Sequence, residues 1–249
     1  MSASFAYFAF VVFCGYVVQT VTGFGAMLLC VTLGALVMAI PEIVTMVVPV
    51  SLVQTGYIVL RHHDGIRKDL LLTRVLPLMG AGMAAGYLLI AGHAGSGLER
   101  AFGVMVVVLA GRELLAVLRA PAERVDAPPS AASHWISGAA MLGAGVVHGV
   151  YATGGPLLVY ALGKESLDKH AFRSTLATSW LVLNIALTTT FALDGRYDGA
   201  TLGRMALLVP LAPFGIAIGE LVHRRVDERH FKITVFSLLI AAALSLTVR

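Results

Sequence analysis

The sequence predicts an all-α integral membrane protein made of two inverted repeats. Each repeat is a broken or re-entrant helical hairpin plus about three transmembrane helices. Three observations carry this prediction. The first is composition: 58% of the 249 residues are hydrophobic and 13% are charged, against about 25% charged in a soluble domain. A chain this apolar lacks the polar surface to face water on all sides. The second is a duplication. Pro77, Gly82 and Gly86 recur in register as Pro210, Gly215 and Gly219. Gln54 has a counterpart in Asn184, Phe102 in Phe231, and the Gly23-Phe24-Gly25 turn in Thr153-Gly154-Gly155, all at offsets of 129 to 133 residues. Duplicated apolar units with glycine turns at matching places point to a secondary transporter with its site between the repeats. The third is the uneven placement of basic residues.

The elements follow in order. Apolar runs cover roughly 5–21, 25–40, 43–60, 70–91, 100–118, 135–150, 156–163, 171–192, 203–222 and 231–248. A spanning helix needs about 20 residues, so 156–163 is too short to cross and 25–40 is marginal. Pro41 ends one segment, and Pro49 is placed to kink the next. Pro156 stands where a helix would begin, the position proline tolerates best. The stretch 120–133, with three prolines and small polar residues, reads as a linker. It divides the chain into a first repeat, 1–119, and a second, 134–249. Residues 1–4 carry no Lys or Arg, and no small-residue cleavage site follows. The first apolar run is therefore expected to stay as a membrane segment. Cys14 and Cys30 lie inside apolar runs and read as packing residues, not a disulfide.

Orientation follows from counting. Suppose each half opens with a pair of segments that enter and return, then crosses three times. Segments 61–69, 112–124, 164–173 and 223–232, with Arg74, then share one side and hold fourteen of the 18 Lys and Arg residues. Such a bias places that side in the cytoplasm. Each half crosses an odd number of times, so the second is inverted. The rival count, with one broken helix opening each half, puts Arg224, Arg225 and Arg229 outside. It is disfavoured but stays open. The pI near 9.3 does not indicate nucleic acid, because the basic residues sit in short loops and form no single stripe.

Two segments carry the candidate site. In Val147–Pro156 an apolar helix meets a small-residue turn, Thr153, Gly154 and Gly155, and a short helix opened by Pro156. The run 156–163 spans only about 12 Å at 1.5 Å per residue. The turn should therefore sit near mid-bilayer, with free backbone N–H groups and a positive dipole end that favour an anion. Gln19–Gly25 has the same form from the opposite face, with Thr22, Gly23 and Gly25 at its tip. The competing reading is that the glycines only let helices pack closely. Gln54 and Asn184 lie deep in apolar helices and offer uncharged donors and acceptors. They either line the substrate site or bond helix to helix. Ser51, Thr55, Thr178 and Ser179 flank them. His148, one turn before the second tip, is a candidate for proton coupling. Arg173 reads as a cytoplasmic anchor, with an anion funnel as the lesser alternative. Glu42 and Glu220 read as snorkelling residues at helix ends.

These residues resemble the TauE/SafE family of sulfite and organosulfur-anion exporters. The resemblance rests on Thr22-Gly23-Phe24-Gly25 and on Gly149–Pro156. It extends to the Pro-x4-Gly-x3-Gly helices at 77–86 and 210–219 and to the Asp-Gly loops at 64–65 and 194–195. Tyr151 and Thr153 stand where the family has more glycines, and no proline closely follows the first turn. The resemblance implies a small polytopic permease that moves sulfite or a related sulfonate across the bacterial inner membrane. The expected partners are a small anionic substrate and the lipid bilayer, without nucleic acid; a homodimer is left open. No cofactor, metal or catalytic residue is expected. A passive anion channel remains as an alternative. A membrane-embedded enzyme is weaker, because Ser179 with His148 lacks any G-x-S-x-G or H-E-x-x-H context.

Overall fold

A computed structural model describes residues 2–90, 96–119, 131–165, 167–225 and 227–247. Among these residues the regular elements are all helical. The first half holds α1 (Ala3–Thr22), α2 (Ala26–Gly34), α3 (Ile40–Arg61), a short α4 (Lys68–Leu70), α5 (Leu76–Ile90) and α6 (Ser96–Arg119). The second holds α7 (Ala131–Tyr151), α8 (Gly155–Leu162), α9 (Lys169–Leu193), α10 (Gly199–Leu208), α11 (Leu211–Arg225) and α12 (Glu228–Thr247). Among the described residues, six helical stretches are long and apolar enough to cross a membrane. Many large apolar side chains on their outer faces are exposed, such as Leu60, Leu88 and Phe214, as lipid contact requires. Of the expected linker, 120–130 lies outside the described residues, and 131–133 already belong to α7.

Both halves open with a hairpin, not a single broken helix. In the first, Gly15 faces Ala26 and Cys30, while Gly34 faces Phe8; α2 therefore runs back along α1. In the second, Gly154 abuts the Ala144 carbonyl and Gly143 faces Leu157. The Ser137 hydroxyl donates to the Ala161 carbonyl at 3.2 Å. Each return helix is short because its N-terminus starts within the protein interior.

The duplicated glycine motifs are helix-packing surfaces. A Cβ at Gly82 or Gly86 of α5 would strike the Leu142 and Val146 carbonyls of α7; Gly145 and Gly149 abut Met79 and Met83 in return. Gly215 and Gly219 of α11 receive Tyr16 and Thr20 of α1, with a Cβ placed 2.5 Å from each. So α5 pairs with the first helix of the other half, and α11 does the same in exchange. Just before the motif prolines the helix is disturbed in both halves. A wide π turn at Leu71–Val75 precedes Pro77, and Val209–Pro210 forms a turn between α10 and α11. Proline supplies no N–H to the preceding turn. Pro49, in contrast, is carried inside the continuous α3.

The equivalent helices α3 and α9 pack antiparallel through the centre. Ser51 meets Asn184 there, while Asp64 and Gly65, just past α3, meet His170 at the start of α9. The basic segments gather at one end. Arg74 bonds Glu165 at 2.7 Å, Arg112 lies 4.0 Å over the Tyr160 ring, and Arg229 reaches the Leu118 carbonyl at 3.4 Å. At the opposite end Arg196 pairs with Asp194 at 3.1 Å, and Arg204 pairs with Glu42.

Candidate functional site

The two hairpin tips are built by the same backbone device. The N–H of Gly23 (φ 83°) donates to the Gln19 carbonyl at 2.7 Å. The N–H of Ala152 (φ 54°) donates to the His148 carbonyl, also at 2.7 Å. Two residues further on, Gly25 and Gly154 cap the return helices. This fixes the correspondence between the halves at 129 residues. It corrects the expected pairing of Gly23 with Thr153: Gly23 matches Ala152, Phe24 matches Thr153, and Gly25 matches Gly154. Thr22 stiffens the first tip, its hydroxyl donating to the Phe24 carbonyl at 2.6 Å and accepting from the Phe24 N–H at 3.3 Å.

Between the tips lies a cavity of about 30 Å³. The first hairpin contributes Gln19, Phe24, Gly25, Met27 and Leu28. The second contributes His148, Ala152, Thr153, Gly155 and Pro156. Ser51 and Thr55 of α3 and Trp180 and Asn184 of α9 complete the wall. No Lys, Arg, Asp or Glu lines it. The polar groups are buried and several are unpartnered: both ring nitrogens of His148, the Thr153 hydroxyl and the Asn184 carbonyl oxygen. Burying such atoms without partners costs about 1–3 kcal/mol each. They are disposed to receive a ligand or water. His148 stacks on Trp180 with centroids 5.2 Å apart. The Asn184 amide donates to the Ser51 hydroxyl at 2.9 Å.

The expected site residues divide. Gly25, Thr153, Gly155, Asn184 and His148 line the cavity. Thr22, Gly23 and Gly154 do not; they shape the tips behind it. Gln54 is also off the cavity. Its amide N–H groups donate to the Tyr16 carbonyl at 2.9 Å and the Thr20 hydroxyl at 2.8 Å, so it ties α3 to α1. By the 129-residue correspondence the partner of Asn184 is Thr55, and the partner of His148 is Gln19. Gln19, Phe24, Met27 and Trp180 were not selected from the sequence, although the Phe102–Phe231 spacing of 129 would have found Gln19.

The cavity is small. Space for one water is about 10–15 Å³, so this volume admits roughly two. Phe24 packs on Gly155, where a Cβ would lie 3.5 Å from its ring. The same ring, with Thr22 and Phe236, borders a second cavity of about 10 Å³. Movement of Phe24 would therefore enlarge the central space and join the two.

The protein is a multi-pass helical membrane protein with a mostly apolar pocket, carrying a few buried polar groups, between two hairpin tips. The chain belongs to the TauE/SafE sulfite exporter family, whose model matches residues 7–246. No curated protein and no solved structure gave a match. The family is one of membrane transporters, and this chain is one of them.

Proposed function

We propose that the protein exports sulfite or a related organosulfur anion, such as a sulfonate, from the bacterial cytoplasm across the inner membrane. The carrying observation is the cavity itself. Two helix N-termini, from α2 and α8, converge on a pocket whose unpartnered donors are neutral. Backbone N–H groups and helix dipoles bind oxyanions without a buried Arg. Such a pocket holds an anion while leaving it free to depart. The antiparallel pairing of α3 with α9, and the exchanged partners of α5 and α11, support an inverted repeat that opens alternately to each face. The gathered basic segments support a cytoplasmic location for that end. His148 is the titratable group on the wall that a coupled proton would use.

The test is reconstitution into proteoliposomes with a panel of sulfite, sulfate, thiosulfate, sulfonates and small carboxylates, each with and without a pH gradient. Saturable flux of sulfur oxyanions, accumulated against their gradient when protons flow, is the expected result. Uncoupled current without accumulation would replace the permease with the channel.

A further inference from the structure

We propose that Arg61, His62, His170 and Arg173 form a second anion site at the basic end of the molecule. It lies directly beneath the central cavity and captures the sulfur oxyanion before it enters the membrane. This site rests on the transport reading above and deepens it.

Two helix faces place the cluster. On α9, Arg173, Trp180 and Asn184 stand seven and eleven residues apart, close to two and three turns, so they share one stripe. On α3 and its end, Ser51, Thr55 and His62 stand at the same spacing. The four upper residues line the central cavity. The two lower ones lie about 16 Å below Asn184 and Ser51 along the helix axes. Both stand at the basic end of the molecule. The His62 and His170 rings form an edge contact at 5.5 Å. Burial first, then the charges of Arg173, His170 and Arg61, hold His62 below its ordinary imidazole pKa. An arriving anion would relieve that repulsion. On these two stripes Ile58 and Ala177, both buried, stand between the basic end and the cavity.

Arg173 is half-buried, and its Nε is shielded from solvent without a partner. Asp64 lies beside the cluster, 3.3 Å from His170. Among the described residues, the matching positions at the other end carry no such cluster. The counterparts of Arg61, His62, His170 and Arg173 are Thr190, Phe191, Pro41 and Val44. Of the cations there, Arg196 and Arg204 are each matched by a carboxylate. A basic mouth on one face raises local anion concentration on that face alone.

The experiment measures sulfite transport in vesicles of defined orientation, so that KM is read separately from each face. Arg173→Gln should raise the basic-face KM about tenfold, as expected for one lost charge-assisted contact. The opposite-face KM should stay within about twofold. Arg173→Lys should restore most of the loss. His62→Gln, at a half-exposed position, should raise the same KM about threefold. The wild-type basic-face KM should also climb more steeply with added KCl than that of Arg173→Gln. An unchanged KM in both Arg173→Gln and His62→Gln, or an equal rise at both faces, overturns the site. A wild type that moves no sulfur oxyanion from either face overturns the transport reading first, and this site with it.

Discussion

Gly23 and Ala152 hold the same left-handed position in the two hairpins, and each donates its N–H back to the carbonyl four residues earlier. One residue further on the halves part: Phe24 stands where Thr153 stands, and Gln19 faces the cavity where His148 does. The two tips share the backbone device and differ in side-chain chemistry. The first tip supplies bulk and a neutral amide. The second supplies an unpartnered hydroxyl and a titratable ring. Equivalent tips would make the two faces interchangeable. Unequal ones let the transporter treat the two faces differently.

The largest expected effect comes from filling the contact between the tips. A Cβ at Gly155 has ordinary room against Phe24, so Gly155→Leu should fold, reach the membrane and abolish sulfite flux. Gly154→Ala breaks a different feature. Its Cβ would collide with the Ala144 carbonyl, and overpacking of this kind costs about 1–3 kcal/mol. A lower melting temperature with flux retained in the surviving protein is expected there. Normal flux in Gly155→Leu would show that the ligand does not pass between the tips.

Next in size is Asn184 against Gln54. Asn184 faces the cavity, so Asn184→Ala should weaken sulfite binding by roughly ten- to hundredfold, the worth of about 1.5–3 kcal/mol in a desolvated site. Gln54→Ala removes two bonds to α1. It should lower the melting temperature and leave affinity nearly unchanged. Direct binding beside thermal melting on both purified variants separates the two amides. Loss of affinity in Gln54→Ala alone would reverse their roles.

A smaller effect tests the other inequality. His148→Gln gives both tips a glutamine. Downhill sulfite flux should persist within about threefold, while a pH gradient should no longer drive accumulation. The threefold figure reflects exchange of one neutral hydrogen-bonding group for another. Retained pH-driven accumulation would place proton coupling elsewhere.

Much of this arrangement was legible in the sequence because membranes leave few choices. Apolar runs, proline breaks and basic loops gave the helices, and the two glycine turns gave the tips. What was not legible was a single register. Offsets from 129 to 133 all fitted some landmark, and the difference decides which side chains face each other. The Pro-x4-Gly-x3-Gly helices shifted the register because they are packing motifs downstream of an irregular turn, not parts of the cavity. Gln54 and Asn184 differ by one residue from true equivalence, and one residue is 100° around a helix. That rotation carries Gln54 onto α1 and leaves Thr55 on the cavity. A left-handed alanine was equally invisible, since nothing local in Tyr151-Ala152-Thr153 announces a positive φ.

That alanine offers the finest test of the comparison. An L-residue in the left-handed region costs about 1–2 kcal/mol, partly offset by the smaller entropy that alanine loses on folding relative to glycine. Gly23 has open surroundings, with Leu176 3.9 Å from a placed Cβ. Gly23→Ala therefore isolates the backbone term and should destabilise by about 0.5–1 kcal/mol. Ala152→Gly should stabilise by a similar amount, for the same reason with the sign reversed. For a chain of this size each shift corresponds to about 1–4 °C in melting temperature, measurable in one detergent with the wild type alongside. Opposite shifts of comparable size would support the 129-residue equivalence of the tips. Two shifts of the same sign would break it, and with it the pairing of Gln19 with His148 and of Phe24 with Thr153.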